Sequence, residues 1–134
     1  MADDLGTRTS EFIARLTDAL GSKGVSTDPV EIDPHISDWR GRWKGSTPVL
    51  VKPATTEEVS KAMTLCAEYG FAVNPQGGNS GMVNGSVPQG EVLISLKRMN
   101  KVREVDVLND AMTLEAGVIL TRAQEIADEN GRLF

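Results

Sequence analysis

The residues best suited to chemistry lie between Pro75 and Pro88, in the order Pro-Gln-Gly-Gly-Asn-Ser-Gly-Met-Val-Asn-Gly-Ser-Val-Pro. Four glycines (Gly77, Gly78, Gly81 and Gly85) stand among small polar residues, directly after the apolar run Phe71-Ala72-Val73. Lacking a Cβ, glycine lets such a stretch take positive φ at several positions and leaves the backbone N–H groups uncovered. Converging N–H groups form a nest for an anion. Ordering so much glycine is costly in conformational entropy, which argues against a mere connector. The expected chemistry is phosphate binding through main-chain donors.

Spacing narrows the kind of phosphate without settling it. G-x-G-x-x-G is absent and no helix opens directly after the loop, so it is not a Rossmann turn. No Gly-Lys-Ser/Thr ending marks a triphosphate loop. From the residues alone two readings stay open: a dinucleotide pyrophosphate held between two strands, or a flexible hairpin loop without a ligand.

Other groups are weaker candidates. Cys66 falls on an apolar helix face and is expected in the core. His35, the single histidine, follows Pro34 and has no second metal ligand at useful spacing, which points to a surface or loop role. With one histidine and dispersed acids, neither a nucleophile–base set nor a carboxylate pair can be assembled; the expectation is no catalytic and no metal-ligating residue. Asp38-Trp39-Arg40-Gly41-Arg42-Trp43-Lys44 joins three cations to two indoles. The favoured reading has the tryptophans anchoring a loop and the arginines at its surface; a minority reading turns Arg40 or Arg42 toward an anionic substrate or cofactor. Asn84-Gly85-Ser86 matches a glycosylation sequon by chance.

The elements that must position these residues can be read from periodicity. Thr9 to Leu20 places Phe12, Ile13, Leu16 and Leu20 on one helical face, with Gly21 as its stop. From Ser22 to Pro48 the periodicity lapses, and a long ordered loop is expected. Pro48 to Pro53 reads as a short buried strand. Thr55 with Glu58 is a capping box, opening a helix that carries Val59, Ala62, Met63, Cys66 and Ala67 inward and ends near Gly70. Phe71 to Asn74 and Glu91 to Leu96 are strands. Lys101 to Val107 and Ala111 to Ala116 form a hairpin around Asn109-Asp110. Thr121 with Gln124 opens a last helix burying Ala123, Ile126 and Ala127. This order implies a two-layer α+β domain with a small mixed sheet flanked by helices. Residues 1–32 are expected as an N-terminal helix and linker, and 33–134 as the ligand-binding part.

Bulk properties agree with one folded domain. Hydrophobic residues make up 40% and charged residues 25% of 134 residues, with a net charge of −5. An acidic balance disfavours nucleic acid and anionic membrane surfaces as partners. No run is long enough to span a bilayer. The early acids at Asp3 and Asp4 do not suit a signal peptide, and one cysteine suits a reducing compartment. The expected location is cytoplasmic.

Five segments together carry a family resemblance. Asp38-Trp39-Arg40-Gly41, Val51-Lys52-Pro53 with Thr55-Thr56-Glu57-Glu58-Val59, Pro75 to Val83, Ser95-Leu96-Lys97-Arg98-Met99-Asn100-Lys101-Val102, and Leu114-Glu115-Ala116-Gly117-Val118 stand in series. In this order they resemble the FAD-linked oxidases of the vanillyl-alcohol oxidase and p-cresol methylhydroxylase type. The D-lactate and D-2-hydroxyglutarate dehydrogenase branch is the most similar. The resemblance implies the first subdomain of a p-cresol methylhydroxylase-type FAD-binding domain, in which the glycine loop offers its amides to the FAD pyrophosphate. By position, Gln76, Gly77, Gly78, Asn79, Ser80, Gly81 and Met82 would line that site, Gly85 and Ser86 would finish it, and Gly117 would let the hairpin end approach the cofactor.

The resemblance also implies what the whole enzyme does: oxidation of a D-2-hydroxy acid by hydride transfer to flavin N5, with electrons passed to a separate acceptor. The second FAD subdomain, the substrate cap, and the metal and base residues would follow Phe134, so the fragment alone is expected to be inactive and to self-associate through its uncovered apolar face. Asn84 stands where this branch usually has glycine and is expected to adopt the left-handed conformation. Asn79 stands where covalent-flavin relatives carry histidine, so FAD is expected to be non-covalent. The alternative is a stand-alone binding or interaction module without catalysis.

Overall fold

Two strand triplets dominate the interior. Val49-Leu50-Val51 and Val92-Leu93-Ile94 are almost wholly buried, as expected for parallel strands covered on both faces. The structure, a computed structural model, describes residues 2–134, with side chains from Gly6 onward. Its elements are α1 (Ala2–Leu20), β1 (Val25–Ser26), α2 (Pro29–Ile32), a 3-10 turn (Asp33–His35), β2 (Leu50–Val51), α3 (Thr56–Glu68), β3 (Val73–Gln76), β4 (Val92–Ser95), β5 (Val102–Asp106), β6 (Ala111–Leu114) and α4 (Leu120–Glu129). The main sheet has the order β1-β2-β4-β3. β2, β4 and β3 run parallel and β1 pairs antiparallel at the edge.

The strands' two-residue period sorts the core into two sides. Val49, Val51, Val92 and Ile94 face α1 and α3, joining Phe12, Leu16, Leu20, Ala62, Leu65 and Cys66. Leu50 and Leu93 face the other way and meet Ile32 and Ile36. Phe12 stacks on Phe71 with centroids 4.5 Å apart and tilts against Tyr69 at 5.5 Å. Full burial of side chains of this size stabilises by about 1.5–3 kcal/mol each. α1 and β1 thus share the core of the residues that follow them.

Local signals set most element ends. Gly21, at φ 75°, closes α1 with its N–H on the Thr17 carbonyl at 2.8 Å, the left-handed stop that glycine accepts. The Thr55 hydroxyl accepts from the Glu58 N–H at 3.2 Å, and the Glu58 carboxylate accepts from the Ala54 N–H at 2.7 Å. α3 is therefore capped as expected, with the return bond one residue earlier than in the standard box.

Four sequence expectations about the elements change. The stretch 22–48 carries β1, α2 and the 3-10 turn instead of an element-free loop. α3 buries Ala62, Leu65 and Cys66, while Met63 and Ala67, expected inward, are exposed; Leu65 wins because the sheet lies over the α3 stripe containing 62, 65 and 66. α4 starts at Leu120, one residue before Thr121, and Ile119 at its N-cap makes no side-chain capping bond. Its inward set, Ala123, Ile126 and Ala127, is buried as expected. Finally, β3 and β4 pair in parallel, from Val73↔Val92 to Gln76↔Ser95, so the glycine loop joining them cannot be a hairpin. Parallel neighbours require a crossover of a dozen or more residues, and here a loop does the work of the usual helix.

Two glycines clamp this framework. A Cβ on Gly117 would lie 1.8 Å from the Leu96 carbonyl oxygen, and one on Gly45 would lie 1.8 Å from that of Pro88. Both obstacles are backbone, which cannot swing aside. Gly117→Ala and Gly45→Ala are each expected to lower unfolding free energy by about 1–3 kcal/mol in denaturant melts; unchanged midpoints for both would contradict this packing.

Candidate anion-binding site

The loop leaves β3 at Gln76, and Gln76 fastens it. Its side chain is fully buried. Nε2 donates to the His35 carbonyl at 2.8 Å and to the Ser86 carbonyl at 2.9 Å. Two carbonyls before Nε2 fix the amide's orientation, so Oε1 is the acceptor facing His35 Nδ1 at 2.7 Å, and Nδ1 carries the proton. Asn79 adds a second tie: Nδ2 donates to the Ser37 carbonyl and Oδ1 accepts from the Ser86 hydroxyl, both at 2.9 Å. Further along, Asn74 Nδ2 reaches the Gly85 carbonyl at 3.4 Å. The loop is thus held from beneath by side chains.

Its own N–H groups are spent differently. Among the described residues, no amide from 77 to 86 donates a hydrogen bond within the chain; the first to do so is Val87, to the Asn84 carbonyl at 3.2 Å. Unpaired backbone donors are rare where no solvent or ligand reaches them. Ser80, Gly81, Met82 and Gly85 are exposed, and Gly77 is half-buried.

The glycines serve this openness, though not through positive φ. In the loop it is Asn79 (φ 53°) and Asn84 (φ 65°) that occupy the left-handed region, whereas Gly77, Gly78, Gly81 and Gly85 do not. Asparagine tolerates this conformation through its short polar side chain. Added Cβ atoms on Gly77, Gly78 and Gly81 would meet the chain only at ordinary van der Waals distance, and one on Gly85 would meet nothing. The fold itself therefore requires none of the four to lack a side chain. What they keep clear is the approach from outside.

The sequence-selected residues divide into two groups. Gly78, Ser80, Gly81, Met82 and Gly85 are exposed and Gly77 is half-buried, while the side chains of Gln76, Asn79 and Ser86 are committed to the network beneath. Gly117 lies against Leu96 and Met99, where the hairpin joins the sheet.

The segment 37–45 borders the loop, and its anchor differs from the expected one. Trp39 and Trp43 are 61% and 52% exposed, while Asp38 is buried. Asp38 Oδ1 accepts from the Arg42 and Trp43 N–H groups at 2.7 and 2.8 Å. A buried carboxylate satisfied by main-chain donors fixes a turn more tightly than a half-wet indole can. Asp38 and His35 are the residues that sequence reasoning missed; Asp38 closes its turn on the N–H groups four and five residues on, and nothing local signals His35, whose partner lies 41 residues away. Elsewhere, burial pushes the Cys66 thiol up to about 11, consistent with a core cysteine. Among the described residues no three His, Cys, Asp or Glu side chains gather to hold a metal.

Comparison with known proteins decides the family. The profile of the family described as "FAD binding domain" matches residues 47–134. The chain belongs to the FAD-binding domain family of the vanillyl-alcohol oxidase and p-cresol methylhydroxylase type. It is 40% identical over 110 residues to a Schizosaccharomyces pombe protein provisionally named as a mitochondrial D-lactate dehydrogenase, covering 81% of this chain and 21% of that one. It is 40% identical over 108 residues to the mitochondrial D-2-hydroxyglutarate dehydrogenase of Bos taurus, covering 80% and 20%. The crystal structure of p-cresol methylhydroxylase with substrate bound superposes on 93% of this chain and 25% of that one, with a TM-score of 0.79 and 21% identity, which shows the fold. The chain spans about a fifth of the length of the curated relatives it matches.

The Asp38 anchor has a pH signature. The Trp43 amide above all, then the Arg42 and Arg40 amides, hold its carboxyl below the ordinary value, against the opposing effect of burial. A depressed folded pKa means stability present above the unfolded value, about 4, and lost as pH falls through the folded one. Trp39 and Trp43 are the only tryptophans, so their emission should change as pH falls below about 4. In Asp38→Asn the emission should stay flat there; identical titration in both proteins would remove Asp38 from this role.

Proposed function

We propose that this chain is the FAD-binding portion of a flavin-dependent oxidoreductase acting on a D-2-hydroxy acid of the D-lactate or D-2-hydroxyglutarate kind. The observation that carries the reading is the set of loop amides, 77 to 86, without an acceptor in the chain, over a backbone that side chains hold open. Amides preorganised around a diphosphate stabilise its charge without a reorganisation cost. Gly77, Gly78, Ser80, Gly81, Met82 and Gly85 would contribute backbone to FAD. Gln76, Asn79 and Ser86 would hold that backbone in place.

When bound, the flavin supplies a hydride acceptor for the carbon bearing the substrate hydroxyl. This chain's part is to bind and orient the cofactor. The names of the D-2-hydroxy-acid dehydrogenase relatives support the substrate class. Asn79, committed to Ser37 and Ser86 and with no nucleophilic atom, supports non-covalent FAD. The lone buried Cys66 suits a reducing compartment and supports a cytosolic location. Leu133 and Phe134 lie exposed beside Val105, Val107 and Met112 of the hairpin, which supports self-association of the chain by itself.

FAD should raise the melting temperature of the chain, and Gly78→Ala or Gly81→Ala should weaken its binding by roughly tenfold or more while leaving the ligand-free melt in place. The flavin should be released on denaturation, and sedimentation of the same samples should show dimers or larger species. Absence of any FAD effect would favour a stand-alone interaction module. Flavin retained by precipitated protein would overturn the non-covalent assignment.

A further inference from the structure

The loop amides carry no formal charge, and the protein as a whole is acidic, with a net charge of −5. A cation nearby would add a charge-assisted contact to an organic diphosphate bound there. One guanidinium is in place. Arg40 Nη2 lies 3.7 Å from the sulfur of Met82, inside the glycine loop, and its guanidinium carbon lies 4.9 Å over the ring of Trp39. A thioether is a weak acceptor and an indole face is uncharged, so neither neutralises the cation.

No carboxylate does so either. Among the described residues Arg40 has no ion-pair partner, although Arg15, Arg103, Arg122, Arg132, Lys44 and Lys52 all have one. The nearest acid in sequence, Asp38, is occupied by main-chain N–H groups. Arg42 also lacks a carboxylate, but it makes no side-chain hydrogen bond to the loop. The turn bearing Arg40 is fixed to the loop at a further point, the Asn79 to Ser37 bond. A guanidinium stacked by its face keeps its edge donors available, in the fork that suits phosphate oxygens.

We propose that Arg40 is the charged member of the loop's anion site, donating its guanidinium edge to a diphosphate held by the amides of 77–86, with Trp39 and Met82 as its support. The proposal rests on the diphosphate reading of the loop and adds a residue outside it. It makes Arg40 a determinant of cofactor affinity, reached from a segment far earlier in the chain.

The test titrates the 134-residue chain with FAD and, separately, with ADP, in wild type, Arg40→Met and Arg40→Lys, at low and high salt. Arg15→Met, on the α1–α3 surface where Arg15 pairs with Glu68, controls for the change in net charge. Arg40→Met should weaken both ligands by about tenfold to a hundredfold and flatten the salt dependence. Arg40→Lys should fall between, and Arg15→Met should match wild type. Equal affinities in wild type and Arg40→Met would overturn the proposal while leaving the flavin reading intact. Weakening of FAD but not ADP would also overturn it, by placing Arg40 on another part of the cofactor. Binding of neither ligand by wild type would overturn the diphosphate reading and the proposal with it. A circular dichroism melt of each variant separates lost binding from lost folding.

Discussion

Backbone N–H groups must find acceptors, and in this protein ten consecutive residues of the glycine loop, 77 to 86, find none among the described residues. In the neighbouring 38–44 turn the Asp38, Gly41, Arg42 and Trp43 N–H groups all donate within the chain. The loop cannot do so, because the parallel pairing of β3 and β4 forbids the hairpin in which its two arms would bond to each other. A crossover made of loop has no internal ladder. Its shape must come from side chains, and Gln76, Asn79 and Asn74 provide it from below. The amides of the loop itself are left without an acceptor in the chain.

The same division of labour explains the residue types. Asparagines take the two left-handed positions and the glycines keep the outer surface bare. Where glycine is needed for packing, at Gly45 and Gly117, it lies at the seams joining the loop's far end and the hairpin to the sheet. Stability and ligand access therefore depend on different glycines. Electrostatics divides similarly: among the described residues six cations sit in ion pairs away from the loop, mostly exposed and worth little to stability, and Arg40, without a carboxylate partner, stands at the loop.

Much of this was legible in the residues. The apolar stripe of α1, the Thr55 cap, the two buried strand triplets and the order of the motifs are local patterns, and local patterns survive folding. Register and partnership were not. Whether β3 and β4 run parallel depends on where α3 and the loop carry the chain, which no window of residues reports. β1 is two residues long and exists only because β2 pairs with it. His35 and Gln76 meet across 41 positions. The tryptophans misled because indole size suggests an anchor, whereas a small carboxylate with two main-chain donors was the anchor in fact.

Hydrogen exchange at the loop amides tests the central claim most directly. The account predicts that amides 77–86 exchange rapidly in the ligand-free chain, with the β4 amides protected, and that FAD slows the loop selectively. Loop amides already protected without FAD, or unmoved by saturating FAD, would contradict it.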